Sequence, residues 1–414
     1  MKILPIIFIA ALISLSSFAK NEISIVSKTR LATTEQGQRY KVGWLNVITL
    51  NGDFETMGKQ YGSLMQTEIA EAYDVMIQKM FIDSGKTTFE NLKTRLFDEG
   101  WAPISSRQKA LFRGMAATSG VPVEKLFILD QVNLALVLAA RGQLNPVGFG
   151  CSFIAAWDAY TDDGSLVLGR NLDWFVPFAQ FAPLVTVVVF KPNDGSQFVA
   201  NVGYAGWVNT LTSFNNAGQF VELNSGMDVM GHTFYKDRSH YMNELLEMLF
   251  DTDSAGALER RLTMSRPEFA NIVNVANCNA SASFENAPQR VLKRAPDDDG
   301  LMVATNNYLH PDWGIEILES PSFSLARHAH LVSQAKLNKG KINVDVLKAI
   351  MELPLQFANG TLASGATMYR PPSKFVPEQT VYTVVAKLSE QKLWIRIPSQ
   401  TPWQEVDYGF FFSN

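Results

Sequence analysis

The apolar positions of this chain change their period near residue 150. From Lys41 to Leu50 the run KVGWLNVITL is rich in β-branched residues and predicts a strand. Asn51 and Asp53 then lead into FETMGKQYGSLMQTEIAEAYDVMIQKMF, whose apolar residues recur at helical spacing. The same spacing predicts helices over 88–99, 106–118 and 122–141, the last with Pro122 at its start and Gly142 at its end. Residues 20–145 are therefore expected to be mostly helical. Beyond Gly150 short apolar or alternating runs are separated by the turn signals DDG (162–164), NDG (193–195) and NNAG (215–218). Helical patterns return over 240–265, 323–337 and 343–353, and TVYTVVAKLSEQKLWIRIP near the end predicts a strand hairpin. There is no internal repeat and no low-complexity tract, so the pattern predicts an α+β protein whose antiparallel strands are covered by helices.

Composition narrows the function classes. The chain has 414 residues, 47% of them hydrophobic and 18% charged, which suits a well-buried globular protein. A net charge of −4 without basic runs argues against a nucleic-acid partner. The first 19 residues have the layout of a secretory signal: Lys2, the apolar run ILPIIFIAALISL, and small residues ending at Ala19. No later run is long enough to span a bilayer. A protein that is secreted or periplasmic, beginning near Lys20, is expected; an uncleaved anchor is the alternative.

Only two cysteines are present, Cys151 and Cys278. In an oxidising compartment they would either pair or leave one thiol for chemistry. Cys151 stands in GCSF, where an inert buried cysteine is the simplest account. The second strand of the following hairpin, SLVLGRNLDW, alters that account, because Arg170 and Asp173 interrupt an apolar run and buried charges are costly unless paired or used. A turn at 162–164 would return them beside Cys151. If the Gly150–Cys151 bond were cut, Cys151 would carry a free α-amine able to serve as base for its own thiol. Arg170 would favour the thiolate and Asp173 would hold the α-ammonium. Cys278, in NVANCNASASF, has no charged neighbours and is read as structural.

The segment GCS…TDDGSLVLGRNLDW resembles the start of the mature subunit of cysteine N-terminal-nucleophile hydrolases, a superfamily that includes acid ceramidase, N-acylethanolamine acid amidase, the choloylglycine hydrolases with penicillin V acylase, and the acyltransferase group that acts on isopenicillin N. GDFETMGKQYGSLM is similar to the opening helix of the acyltransferase-like branch. The resemblance implies a four-layer αββα sandwich with antiparallel sheets. It also implies a helical pro-segment over 20–150 and a catalytic portion over 151–414, the two fragments staying associated after autocatalytic cleavage between Gly150 and Cys151. SFNNAGQFVELNSG resembles the segment whose asparagine, here Asn224, lends a backbone N–H to an oxyanion hole, with Asn215 a weaker competitor. VATNNYLHPDW resembles the Thr-Asn strand whose side chain is the other donor, here Asn306, with Asn307 competing. SFSLARHAHL resembles the segment supplying a second active-site arginine, here Arg327, which could instead be an exposed helical residue. Two neutral donors aimed at a developing oxyanion contribute roughly 3 kcal/mol each.

The resemblance implies an amide hydrolase working through a thioester on a small N-acyl amide, without cofactor or metal. His328 and His330 sit two apart on a helix and face different ways, and PDDDG at 296–300 lacks the rest of a calcium loop. The aromatic stretch WFVPFAQFAPLV (174–185) is either an acyl pocket or a buried strand. Acyl transfer in place of hydrolysis, and a non-catalytic binding protein that keeps the fold, are the alternatives; oligomeric state is open.

Overall fold

A computed structural model describes residues 28–34, 36–135, 150–175, 180–226, 235, 237–238, 240–320, 323–353 and 378–413. The expected signal segment lies outside the described residues, as do the end of the helix expected over 122–141 and residues 176–179 of the aromatic stretch.

Two sheets face each other. Among the described residues the larger has ten strands and the smaller six. Before Cys151 come β1 (Lys28–Thr34), β2 (Gly37–Val42) and β3 (Leu45–Gly52), then the helices α1 (Phe54–Leu64), α2 (Gln66–Tyr73), α3 (Phe89–Leu92), α4 (Ser106–Ser119) and α5 (Val123–Asp130). The helix after α2 continues over Asp74–Asp83 in π geometry. The segment is thus not helical throughout. The single strand expected over 41–50 is divided at Gly43, whose φ of 58° turns the chain between Val42 and Leu45. β3 then pairs in parallel with β6 (Val185–Pro192) over Asn46–Gly52 and Thr186–Pro192, so the segment before the expected cut supplies three strands of the larger sheet.

After Cys151 the smaller sheet is built from β4 (Cys151–Ala156), β5 (Val167–Phe175), β13 (Leu301–Ala304), β14 (Glu378–Lys387), β15 (Lys392–Arg396) and β16 (Gln404–Asp407). The larger sheet continues with β7 (Val199–Tyr204), β8 (Thr212–Asn215), β9 (Phe220–Ser225), β10 (Asn271–Ala276), β11 (Ser281–Asn286) and β12 (Val291–Arg294). α1, α6 (Tyr241–Asp251) and α7 (Ala255–Met264) pack on the larger sheet, and α8 (Ser324–Leu337) and α9 (Val344–Met351) on the smaller. The order helix, sheet, sheet, helix is the four-layer arrangement expected. Between the sheets the core is aromatic, with Phe153 stacked on Phe220 at a centroid distance of 5.9 Å. Among the described residues no helix is long and apolar enough to cross a membrane.

α1 and α4 cross glycine against glycine. A Cβ on Gly114 would stand 2.1 Å from the Glu55 carbonyl oxygen, and one on Gly58 would stand 2.2 Å from that of Leu111. Both obstacles are backbone, so neither can move aside cheaply. Gly114→Ala would gain about 1 kcal/mol of helix propensity, yet overpacking costs typically 1–3 kcal/mol and more against backbone. The clash wins, and a lowered urea midpoint is expected; an unchanged or raised midpoint would show that the two helices separate without cost.

Candidate active site

The β4–β5 hairpin places the chemistry. Cys151 pairs with Leu172 and Phe153 with Arg170, so these four side chains share the face turned to the larger sheet. Ser152 and Asn171 take the other face, towards α8 and α9, where the Asn171 amide donates to the Met351 carbonyl (3.3 Å). At the open end of the hairpin the Asp173 backbone N–H donates to the Gly150 carbonyl (3.0 Å). Cys151 is buried and, like Cys278, is not in a disulfide.

Five of the expected side chains converge here. Asn306, just beyond β13, accepts the Cys151 backbone N–H on Oδ1 (2.9 Å). Arg327, in the first turn of α8, is fully buried rather than an exposed helical residue. Its Nη1 donates to the Cys151 carbonyl (2.5 Å) and to Ser152 Oγ (2.9 Å), and its Nη2 to Asn306 Oδ1 (2.6 Å). It also stands 4.0 Å from an Asp173 carboxylate oxygen. Asp173 Oδ1 accepts from the hydroxyl of Thr380 on β14 (2.6 Å). Asn224 completes a reciprocal clamp between the sheets: its amide donates to the Thr305 carbonyl (3.0 Å), while the Asn306 amide donates to the Ser225 carbonyl (2.9 Å).

The competitors separate cleanly. Asn307 donates away from the site, to the Leu318 carbonyl (2.9 Å). Asn215 is a turn residue, accepting the Gln219 N–H (3.0 Å) and donating to the Leu249 and Thr252 carbonyls. With Gly150–Cys151 intact, Asn306 presents its oxygen, not its amide, to Cys151. Its amide spends one N–H on the Ser225 carbonyl, so a donor role for Asn306 falls to the second N–H.

Arg170 is not simply a cation beside a thiol. Its Nε forms a fully buried ion pair with Glu222 Oε2 (2.9 Å), its Nη2 donates to the Leu223 carbonyl (3.1 Å), and its guanidinium lies 5.5 Å from the Tyr382 ring centroid. Asn274, opposite Glu222 on β10, donates to the other carboxylate oxygen. Burial pushes the Glu222 carboxyl above its usual range while Arg170 pulls it back. Sequence reasoning passed over Glu222, although it carries the signal that drew attention to Arg170, a lone charge in an apolar strand (FVELNS). Burial also pushes the Cys151 thiol up to about 12; Arg170 opposes this, and the Asp173 and Glu222 carboxylates add to it. In the uncut chain the thiol is protonated.

A cavity of about 50 Å³ opens at Cys151 between Leu172, Trp174, Leu211, Met242 and Phe269. Among the described residues of the 174–185 stretch, Trp174 lines it, and Leu184 and Val185 are buried where β6 begins. His328 pairs with Asp297 (2.9 Å), and among the described residues no three His, Cys, Asp or Glu side chains are grouped to hold a metal ion.

No family model matches the chain. Among curated proteins it is similar to Protein dcd1B of Dictyostelium discoideum, 25% identical over 259 residues, which is 53% of this chain. The chain spans about half the length of that relative (48%). Among solved structures it is similar to a variant of the conjugated bile acid hydrolase from Clostridium perfringens, with 13% identity, TM-score 0.45, and coverage of 64% of this chain and 95% of that one. It is also similar to the Caenorhabditis elegans ortholog of N-acylethanolamine-hydrolyzing acid amidase (13% identity, TM-score 0.41, 64% and 98% covered). A third such structure is the penicillin V acylase from Agrobacterium tumefaciens (10% identity, TM-score 0.44, 63% and 86% covered).

Two outcomes are expected from this geometry. Removing one partner of a buried ion pair costs about 3–5 kcal/mol, whereas replacing both by apolar groups is often neutral. Glu222→Leu should therefore destabilise by about that amount in chemical denaturation, and Arg170→Leu with Glu222→Leu should recover most of it; a double variant as weak as the single one contradicts the pairing. With its thiol pushed up to about 12, Cys151 of uncut chains should react with iodoacetamide at about pH 8 roughly a thousandfold more slowly than a free cysteine. Intact mass would read cut and uncut chains separately, and rapid alkylation of uncut chains would contradict the burial argument.

Proposed function

We propose that this chain is an exported amide hydrolase that makes its own nucleophile by cutting the Gly150–Cys151 bond. The observation carrying this reading is the grip on that one peptide bond: Asp173 N–H on the Gly150 carbonyl, and Asn306 Oδ1 on the Cys151 N–H. Buried polar groups of this kind polarise the carbonyl and orient the leaving nitrogen before reaction starts. The Cys151 sulfur attacks the Gly150 carbonyl carbon, the C–N bond breaks, and the nitrogen leaves as an amine carrying the thiol proton. Water then hydrolyses the thioester, leaving a Gly150 carboxylate, a free thiol and a new α-amine.

The new amine, with an unperturbed pKa of roughly 8, lies where Asn306 held the amide and beside the buried carboxylate of Asp173. It supplies the base that the uncut thiol lacks. On an N-acyl amide the same sequence repeats: sulfur attacks the acyl carbon, the α-ammonium protonates the departing amine, and water releases the acid. Arg170 draws the thiol towards thiolate, with Glu222 limiting that pull. The Asn224 backbone N–H and the second N–H of the Asn306 amide are the oxyanion donors. The apolar cavity receives the acyl group.

Cleavage does not detach the first fragment, because β3 stays paired with β6 and α4 stays bonded to α6. Arg107 on α4 reaches Asp251 (2.6 Å), Glu247 (3.4 Å) and Asp194 (3.0 Å). Denaturing gels and intact mass should show two fragments meeting at Gly150–Cys151, co-eluting under native conditions, and Cys151→Ala should remain a single chain. Processed protein should release free amine from a panel of N-acyl amides. A wild-type chain that stays whole at acidic and neutral pH, with an inert thiol, would overturn the assignment.

A further inference from the structure

One wall of the Cys151 cavity is polar in a way that the hydrolysis itself does not use. Asn133, in the helical residues 132–135 that come after α5, is 8% exposed and lines the cavity together with Met242. Its Nδ2 faces the Met242 sulfur at 3.1 Å. A thioether has lone pairs and no proton, so only the N–H side of the carboxamide can face it. Oδ1 is left on the other side, buried and without a hydrogen-bond partner. A buried acceptor left unmade costs on the order of a full desolvation penalty, and apolar residues of similar size would fill the position without that cost. Leu172, Leu211, Leu223 and Phe269 present apolar surface around it, and none of the polar side chains that share the lining, Cys151, Asp173, Trp174 and Ser225, bonds Oδ1.

We infer that Asn133 is a specificity-determining residue, and that the acyl group entering the cavity carries a hydroxyl or amide N–H which donates to Asn133 Oδ1. This rests on the proposed amide hydrolysis and narrows its substrate class to short acyl groups with a hydrogen-bond donor on the chain, in place of plain alkyl chains. The size agrees, because a cavity of about 50 Å³ holds only a few heavy atoms. The donor would satisfy an acceptor that an alkyl chain leaves unpaired, and sites of this type reject the analogue lacking the group far more strongly than an apolar pocket rejects an extra methylene.

The test uses one fluorogenic amine acylated with pentanoic acid and with its hydroxypentanoic isomers, the hydroxyl moved carbon by carbon along the chain. For processed wild type, one isomer is expected to exceed the parent by about tenfold or more in kcat/KM. Asn133→Leu should reverse that order by raising the parent and lowering the isomer, and Asn133→Ala should abolish the preference if the leucine variant folds poorly. Equal rates for parent and all isomers, or a preference that survives both variants, overturn the inference. Calorimetry with the free acids separates this from failure of the hydrolase reading. If no amide is cleaved, a hydroxy acid binding about tenfold more tightly than pentanoic acid in wild type alone upholds the role of Asn133 and removes only the hydrolysis. Equal binding of the acids removes both.

Discussion

Two guanidinium groups with no exposure to solvent dominate this fold, and most of the polar structure around Cys151 is there to compensate them. Arg170 and Arg327 lie on opposite faces of the β4–β5 hairpin. A buried charge costs several kcal/mol unless its partners are well placed. Arg170 is answered from the larger sheet by Glu222 and the Leu223 carbonyl, and Arg327 from the smaller sheet by the Cys151 carbonyl, Ser152, Asn306 and Asp173. The hairpin is thereby pinned from both sides. Its first residue has little freedom, and the peptide bond entering it is held in one geometry.

The segment before that bond has two structural tasks. It extends the larger sheet through β3, and it supports the loop over the cavity. Buried Asp130 at the end of α5 accepts the backbone N–H groups of Val208 (2.7 Å) and Asn209 (2.8 Å), while the Tyr61 hydroxyl accepts that of Gly206 (2.9 Å). Close by in the chain, Leu211 lines the cavity. Burial raises the Asp130 carboxyl, and four N–H donors work in the opposite direction. The first fragment of a cut chain would thus remain part of the site's wall, contributing Asn133 directly.

Much of this was legible in the residues. Arg170 and Asp173 stood out because charge inside an apolar strand demands a partner, and the DDG turn pointed to where their strand returns. Helices with clear 3.6 periodicity and capping signals were placed closely, as at α4, where Ser105 and Gln108 form a capping box. β1 and β2 escaped notice because their outer faces are polar and the turn at Gly43 lies inside a run that reads as one strand. Glu222 carried the same signal as Arg170 but stood in a segment read for its asparagines.

The sequence by itself determined the class of architecture, the position of the hairpin, and the candidate chemistry at Cys151, because periodicity and misplaced charge are local properties of a chain. It did not determine which of Asn306 and Asn307 faces the cysteine, that Arg327 is buried, or that Arg170 is neutralised by Glu222. Adjacent residues of one type differ only in the side of the chain they leave, and a charge acquires its meaning from partners 52 residues away, as for Arg170 and Glu222, or 176 away, as for Arg327 and the Cys151 carbonyl. Those choices belong to the packing of two sheets against each other, where desolvation leaves each buried polar atom very few places to bond.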